Sequence, residues 1–424
     1  MSSLSFPVKC FLFGWVLVIG IRFFGLMAYA PITHETTFAI AVFIVVFIVG
    51  FYFGSFWLIQ IRKNVKVFAG KLESNKSLNL LIYITVFLSF ICVFFMYLKV
   101  KNLSSHYGSN LSLEGFSEIR SASIGDDSKE LGSSFFGMIS SLLFGFPVLA
   151  GLLAVFYSKV LSSKTLLVLN GMFIIGAMSS FMTGGRFTAF TFILMYLFAR
   201  AIGPMKLKRK AKYLLMIGVG IFILISGQIF LDRIGDAGDI SAVAYLLKLC
   251  SPKPFTETLL NISPNLVTLT IYFEYYVAHG VNQLDVLLNA PDPQHFPYWG
   301  AYQLKTFVIM FNKLGFDIIN STEITAEIIN PGVYFTEIGA MYLDFGSFFS
   351  VIVTFIFGVV LGIVWKRYLV LKTLSDFFIS IIFLSLISVS SIVSLVGAGY
   401  FSAIIVSALF VIIFDLLYPL PVTE

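Results

Sequence analysis

The stretch FMTGGRFTAF places Thr183, Gly184, Gly185 and Arg186 between two long apolar runs. If Arg186 opens a helix, the free N–H groups of the first helical turn favour an anion. The glycines let a ligand approach the backbone, Thr183 can cap the helix, and the arginine fork matches two phosphate oxygens. The turn is therefore a candidate phosphate or diphosphate site. The alternative is a tight interhelical turn whose arginine reaches the lipid headgroups.

Two further arginines could join such a site. Arg22 lies about 12 residues into an apolar run, or roughly 18 Å along a helix. A charge inside a membrane span is costly and usually faces a polar cavity or a partner. The alternative is that Arg22 lies near the end of its span and reaches the headgroups. Arg233 follows another apolar run, where an ordinary boundary charge is the alternative to a ligand contact.

Four side chains are candidates for a general base: Glu274, His279, Glu337 and Asp344. His279 follows an aromatic helical stretch and could titrate near neutrality, although it could also be a solvated loop histidine. Glu337 and Asp344 lie seven residues apart, so they share one face of a helix, on which Asp344 is expected to lie deeper. The alternative for both is stabilisation of a helix N-terminus.

Aromatic residues are densest in FEYY and FPYWGAY, which contain Tyr275, Tyr298 and Trp299. Aromatic rings cover the apolar face of a pyranose while nearby polar groups bind its hydroxyls, so these three residues are candidate sugar contacts. The alternative is that the rings lie at headgroup level, where Tyr and Trp are common.

The sequence predicts neither a metal site nor a cofactor. It contains no Walker A motif, no GxGxxG before a helix, no HExxH and no Cys/His metal spacing. The three cysteines offer no disulfide framework, and the aspartates of GDAGD lack further ligands. An enzyme with this sequence is expected to be metal-independent.

The composition indicates the elements that must position these residues. With 58% hydrophobic and 12% charged residues and a mean hydropathy of +0.95, the chain is predicted to be an all-α polytopic membrane protein forming one membrane domain over residues 1–424. An AYA sequence near the N-terminus resembles a cleavage site, but Pro31 and Arg22 favour an uncleaved first span. About ten transmembrane helices are expected, near residues 10–30, 37–59, 78–98, 134–157, 165–182, 187–203, 213–231, 339–364, 376–396 and 398–417.

Most basic residues fall in alternate connections, which marks one side of the membrane as cytoplasmic and places both termini there. The TGGR turn and the polar loops 99–133 and 232–338 are then expected outside. The second loop is far longer than ordinary connections, and such loops are usually functional. Within it, NLVTLTIYFEYYVAHG (265–280) predicts an interfacial or re-entrant helix.

Three features together resemble the O-antigen polymerase (Wzy) family of bacterial inner-membrane oligosaccharide repeat-unit polymerases. They are the TGGR turn opening a central span, one very large external loop, and the following segment NPGVYFTEIGAMYLDFGSFFSVIVTFIFGVVLGIVWKRY. The resemblance covers the architecture of nearly the whole chain and implies a GT-C-like membrane glycosyltransferase with periplasmic loops. Some members carry an arginine followed by ten residues and a glycine in two periplasmic loops. Neither Arg186 nor Arg233 has glycine at that distance, so that version of the site is not expected.

The resemblance implies that a growing glycan on undecaprenyl diphosphate is transferred, with inversion, to the next lipid-linked repeat unit at the periplasmic face. Arg186 with its glycine turn, Arg22 and Arg233 would stabilise the diphosphate leaving group. His279 would be the first choice of base, with Glu337 or Asp344 second.

The implied partners are the undecaprenyl-diphosphate-linked oligosaccharide, membrane lipids and, by analogy, a flippase and a chain-length regulator. No nucleic acid is expected. Two alternatives share the lipid-linked donor. An O-antigen ligase would pass the finished glycan to lipid A-core, and a flippase or transporter would move the lipid-linked sugar. Transporters commonly show repeated halves and discontinuous spans with charges near the midplane, whereas the halves here do not match.

Overall fold

The computed structural model describes residues 4–61, 73–107, 135–182, 186–204, 250–290, 296–316, 318–319, 324, 335–397, 401–418 and 420. Most of this part of the chain is α-helical. The helices are α1 (Phe6–Phe24), α2 (His34–Ile61), α3 (Glu73–Tyr107), α4 (Phe135–Leu143), α5 (Gly145–Phe156), α6 (Ser163–Met182), α7 (Arg186–Ile202), α8 (Pro254–Ile262), α9 (Pro264–Asn289), α10 (Lys305–Lys313), α11 (Glu337–Leu371), α12 (Leu374–Val389) and α13 (Phe401–Leu417). Strands β1 (Met27–Tyr29) and β2 (Cys250–Pro252) pair antiparallel.

By length and composition, five of the described helices can cross a membrane: Phe6–Phe24, His34–Phe56, Lys76–His106, Phe136–Phe156 and Glu337–Leu371. Four shorter apolar helices are Ser163–Ser179, Thr188–Ile202, Leu374–Val389 and Ala403–Leu417. All nine fall on runs from which spans are expected. The remaining expected span, 213–231, lies outside the described residues, as do most of loop 99–133 and much of loop 232–338. The chain is thus a helical membrane protein.

Large apolar side chains on the outer helices point away from the bundle. Phe38 and Phe56 of α2 and Tyr83, Phe87 and Phe90 of α3 are all exposed. Such continuous apolar surfaces are unfavourable in water but are expected where helices face lipid. The exposed faces therefore agree with membrane insertion of these helices.

Helices α2 and α11 meet along glycines. Each helix carries a pair of glycines four residues apart, Gly50 and Gly54 on α2 and Gly358 and Gly362 on α11. A Cβ atom on any of the four would overlap backbone of the opposite helix. In a membrane, where helices gain little from hydrophobic burial, small residues promote association because they let backbones approach closely.

Helix α11 is broken at Gly346, where φ is 69° and ψ is 179°. The Thr354 hydroxyl lies 3.3 Å from the Met341 sulfur, although a straight helix would separate these residues by about 20 Å. The segment Glu337–Phe345 therefore folds back beside the rest of α11, and we call it the re-entrant segment. The expectation that Asp344 lies deeper than Glu337 is wrong, because the turn at Gly346 reverses their order.

Replacing Gly346 with alanine is expected to destabilise the protein by about 1–3 kcal/mol, because this backbone region is essentially restricted to glycine. Steric overlap is not the cause, since the nearest atom to a Cβ there is 3.6 Å away, in the Phe296 ring. Thermal unfolding in detergent measures the effect. The matched control is Gly171→Ala in α6, where a Cβ meets no atom within 4 Å. Equal unfolding temperatures for the two variants would contradict the prediction.

The two ends of the bundle differ in structure. The loop end contains the C-terminus of α1, residues Gly25–Thr33, helices α8 and α9, and the turn at 296–304. At the opposite end Phe6 stacks on Trp365 with ring centroids 5.9 Å apart, and the Tyr368 hydroxyl donates to the Ile202 carbonyl at 2.6 Å. These contacts join α1, α7 and α11, so the opposite end is closed by packed helices.

Candidate functional site

Helix α9 includes the stretch 265–280 and continues to Asn289. Proline at its start is compatible with helix initiation, since its missing N–H is not needed there. Val277, Val281 and Leu284 belong to the main hydrophobic core, so α9 is packed onto the bundle along one face. This packing fixes the orientation of its polar side chains at the loop end.

Tyr275, His279 and Asn282 form one stripe along α9, because they are spaced by four and then three residues. The Arg22 guanidinium donates to the Asn282 side-chain oxygen. A second Arg22 nitrogen donates to the Ala30 carbonyl at 2.8 Å. Arg22 therefore contacts the helix that carries His279 and Tyr275, about one turn beyond His279, at the loop end.

Arg22 lies in the last turn of α1 and is half-buried. This position favours the interpretation that Arg22 is near the end of its span, and a cation at a helix C-terminus is favourable. Its guanidinium carbon lies 5.3 Å from the centre of the Tyr29 ring. Backbone, amide and aromatic contacts therefore hold the charge in a defined position at the end of α1.

Asp285 is an acidic neighbour of this cluster. One of its oxygens accepts from the Thr33 N–H at 2.8 Å and the Thr33 hydroxyl at 2.7 Å. Burial alone would raise its pKa, but the hydrogen bonds from Thr36 and Thr33 and the charge of Arg22 together lower the pKa. The carboxylate is thus held ionised and fixes the chain that leads into α2.

His279 is only 2% exposed, so it is not a solvated loop histidine. Its Nδ1 lies 2.8 Å from the Tyr275 carbonyl oxygen, which can only accept. Nδ1 must therefore carry the proton, and Nε2 of the neutral ring has the basic lone pair. Burial lowers the pKa of His279, against the opposing effect of the Tyr275 and Tyr276 carbonyls. The ring also stacks on Tyr275, with centroids 4.7 Å apart.

Glu274 anchors backbone and is less suited to act as a base. Its carboxylate accepts from the Leu26 N–H at 2.7 Å and the Met27 N–H at 3.3 Å. Lys253 donates to the carbonyls of Phe23 and Gly25 at 2.9 and 2.7 Å, which caps the end of α1. Burial raises the pKa of Glu274, while the two N–H bonds and Lys253 act in the opposite direction.

Glu274→Gln is expected to lower the free energy of unfolding by about 1–3 kcal/mol, because the amide loses the charge that faces two N–H groups. Thermal unfolding in detergent tests this expectation. Glu257→Gln, at an exposed position on neighbouring α8, is the control and should unfold like wild type. An unchanged unfolding temperature for Glu274→Gln would show that this contact contributes little.

Asp344 closes the turn at 296–304. Its two carboxylate oxygens accept from the N–H groups of Tyr302 at 2.9 Å and Gln303 at 3.1 Å. Its carbonyl, freed by the break at Gly346, accepts from the Trp299 N–H at 2.7 Å. Because Asp344 is fully buried and engaged in this way, it positions the turn.

Tyr298 and Trp299 differ in environment. Tyr298 is buried in a small core with Leu287, whereas Trp299 is 66% exposed. The backbone of Trp299 has a φ of 51°, and its ring lies 5.8 Å from the partly exposed ring of Phe349. Trp299 therefore presents an open aromatic face, while Tyr298 is a packing residue.

Glu337 lies inside the bundle and away from the turn that Asp344 holds. Its N–H donates to the Ser390 carbonyl at 2.8 Å, and its side chain is 4% exposed. Gly280 of α9 packs against Thr336 and the Ile392 carbonyl. The His279–Gly280 turn of α9 is therefore adjacent to the start of the re-entrant segment.

Arg186 is the first residue of α7, as the turn predicts. Its side chain is not among the described atoms, and Thr183, Gly184, Gly185 and Arg233 lie outside the described residues. The contribution of the TGGR turn therefore stays a prediction. Among the residues that the structure describes, no three His, Cys, Asp or Glu side chains are grouped to hold a metal ion.

Asn282, Asp285 and Lys253 were not identified from the sequence. Asn282 could have been found, because it continues the spacing of Tyr275 and His279 around a helix. Lys253 and Asp285 gave no such signal, since their partners lie more than 200 positions away. No protein-family model, curated protein or solved structure matches the chain, so the site rests on its own geometry.

Proposed function

We propose that the chain is a bacterial inner-membrane glycosyltransferase that polymerises lipid-linked oligosaccharide repeat units of a surface polysaccharide. In this proposal about ten transmembrane helices form a GT-C-like membrane domain. Both termini are cytoplasmic and the loop end faces the periplasm. The donor is a growing glycan on undecaprenyl diphosphate, and the acceptor is the next lipid-linked repeat unit.

The observation that carries the proposal is the stripe of Tyr275, His279 and Asn282 beside Arg22. It supplies an aromatic face, a neutral imidazole and a fixed cation at one end of a membrane bundle. A lipid-linked diphosphate presents its charge at that level, with the lipid tail beside the helices and the sugar beyond them. The residue types thus suit the chemical groups of the substrate, and their place at the end of the bundle suits the level of its diphosphate.

The reaction needs few groups. A sugar hydroxyl of the acceptor attacks the anomeric carbon of the donor, and the bond from that carbon to the diphosphate oxygen breaks. Nε2 of His279 takes the hydroxyl proton. Arg22, with Arg186 of the TGGR turn and Arg233, stabilises the charge that develops on the diphosphate. Trp299 and Tyr275 contact sugar rings. No metal is required, because fixed cations neutralise the leaving group.

Surface glycan from a strain lacking this protein tests the proposal. We expect the null strain to carry core with a single repeat unit and re-expressed wild type to restore a ladder. Arg22→Gln at matched membrane level should shorten or abolish the ladder, by about 10²-fold in transfer rate for loss of one charged donor. The control is Lys101→Gln, an exposed residue near the end of α3. A full ladder with Arg22→Gln would show that Arg22 does not contribute to glycan transfer.

Two alternatives predict other outcomes. Loss of an O-antigen ligase or of a flippase leaves no repeat unit on the surface lipid. The break in α11 favours transport over ligation as second candidate, because transporters build sites from discontinuous helices. Incubation of the purified protein in detergent with lipid-linked repeat units distinguishes a polymerase from a transporter. Polymer formed without a membrane barrier requires transfer, whereas a transporter would leave the repeat units unchanged.

A further inference from the structure

The re-entrant segment begins with a carboxyl group placed inside the bundle. Glu337 borders a small cavity with room for about one water molecule. Most of the cavity wall is apolar: Phe11 from α1, Phe43 and Phe47 from α2, Met341 and Phe357 from α11, and Leu386 and Ile387 from α12. Thr354 and Ser390 are the other polar lining residues. The carboxyl group of Glu337 therefore lies in mainly apolar surroundings between four helices.

Both carboxyl oxygens of Glu337 lack a hydrogen-bond partner, and within the described ranges no other Asp or Glu has such buried, unpaired oxygens. The hydroxyl of Ser394 is nearby but outside hydrogen-bond geometry. Buried polar atoms are nearly always satisfied, so two orphaned oxygens on one carboxyl group point to a ligand that completes them.

The ligand must suit few oxygen donors and an apolar wall. An unpaired carboxylate in such surroundings costs many kcal/mol, and proteins avoid that cost by neutralising the group. The hard cations Ca²⁺ and Mg²⁺ take about six or more oxygen ligands, whereas the polar side chains of this wall are only those of Glu337, Thr354 and Ser390. A proton neutralises the carboxyl with no additional ligand. The remaining space can hold one water molecule as its hydrogen-bond partner.

We propose that Glu337 is a proton-binding site within the bundle, occupied in the packing described here. The lining residues include no other titratable group. Asp344, on the re-entrant segment, is the titratable group whose charge acts on Glu337. The inference does not depend on glycan transfer, since it concerns the charge state of one carboxyl.

The position of Glu337 gives the proton a structural consequence. Its N–H binds Ser390, and the Phe335 carbonyl accepts from the Ser394 N–H at 2.9 Å, so the start of the re-entrant segment is fixed to the end of α12. The same segment ends at Asp344, which holds the turn bearing Trp299. Loss of the proton would place a charge among the lining phenylalanines, beside the backbone contacts that hold this segment to α12. Protonation of Glu337 therefore couples the bundle interior to the loop end.

Infrared difference spectroscopy of the purified protein tests the charge state. The spectrum of wild type minus Glu337→Gln near neutral pH is expected to contain the carbonyl stretch of a protonated carboxylic acid. A carboxylate stretch in its place would overturn the proposal. Conversion of the acid band into a carboxylate band on addition of sodium chloride, but not choline chloride, would also overturn it, because that result identifies a cation site.

If Glu337→Gln does not fold, labelling of wild type decides the question. Dicyclohexylcarbodiimide is apolar and adds to protonated carboxyls, giving a stable N-acylurea that peptide mass spectrometry locates. We expect modification at Glu337 and not at exposed Glu257. The yield should fall about tenfold per pH unit once the carboxyl ionises. Absence of label at Glu337, or a yield independent of pH, would contradict the proposal.

Discussion

Gly54→Leu is expected to prevent α2 from packing on α11 and to remove folded protein from the membrane. A Cβ at Gly54 would overlap the carbonyl of Val359, and a leucine adds three further carbons to this contact. The opposing atoms are helix backbone, which cannot rotate away as a side chain can. We expect a loss above about 4 kcal/mol, beyond the usual range of single substitutions.

The amount of monodisperse protein recovered in mild detergent measures this effect. Gly362→Leu, on α11, should reduce the recovery of folded protein in the same way, because its Cβ would overlap the Phe51 carbonyl of α2. Gly20→Leu in α1 is the control, since a Cβ there meets no atom within 4 Å. Recovery of Gly54→Leu at the level of Gly20→Leu would mean that α2 and α11 are not in close backbone contact.

The four glycines between α2 and α11 form a pattern that can be recognised in the sequence. Two GxxxG patterns, Gly50 with Gly54 and Gly358 with Gly362, lie in apolar runs and are typical of close helix pairs. The positions of nine helices followed from apolar run length alone, because a membrane requires about 20 residues of helix. Partner choice between helices depends on surface shape, which run length does not record.

The break in α11 could not be derived from hydropathy. The run through MYLDFGSFF is apolar on both sides of Gly346, so it predicts one continuous span. The length of α11 does indicate that it is not one simple span, because 35 helical residues extend about 52 Å, which exceeds the thickness of the bilayer core. Only the backbone conformation at Gly346 shows that the re-entrant segment folds back and places Glu337 farther from the loop end than Asp344.

The candidate site was partly predictable for a related reason. The spacing of Tyr275 and His279 within α9 is a local property, and a helix places such residues on one face. The contact between Arg22 and Asn282 joins residues 260 positions apart, and no local pattern specifies such a pair. The carboxyls of Glu274 and Asp344 looked like candidate bases because the sequence does not show the N–H groups that surround them.

His279→Gln is expected to reduce the rate of glycan transfer by about 10²–10⁴-fold, the usual contribution of a general base. Glutamine has a similar length and an uncharged polar end, so the site stays filled while the basic Nε2 is lost. Transfer is measured with purified protein and lipid-linked repeat units. His34→Gln, an exposed histidine at the start of α2, is the control and should keep the wild-type rate.

The pH dependence distinguishes a base from a packing residue. Burial lowers the pKa of His279, so the neutral form persists as pH falls through about 6.5, where an exposed histidine titrates. Wild-type transfer should therefore be lost only below that pH. His279→Gln should lack this acid limb in its residual rate. The same limb in both proteins would exclude His279 as the base.

Stability supplies an independent check of the same group. The folded state favours neutral His279, so the unfolded chain takes up a proton first as pH falls below about 6.5. The contribution of His279 is complete above that pH and is lost as pH falls through its lowered folded pKa. Wild type should thus lose more thermal stability on acidification than His279→Gln. Parallel pH dependences would mean that His279 is solvated, and the proposed base would have to be sought elsewhere along the loop end.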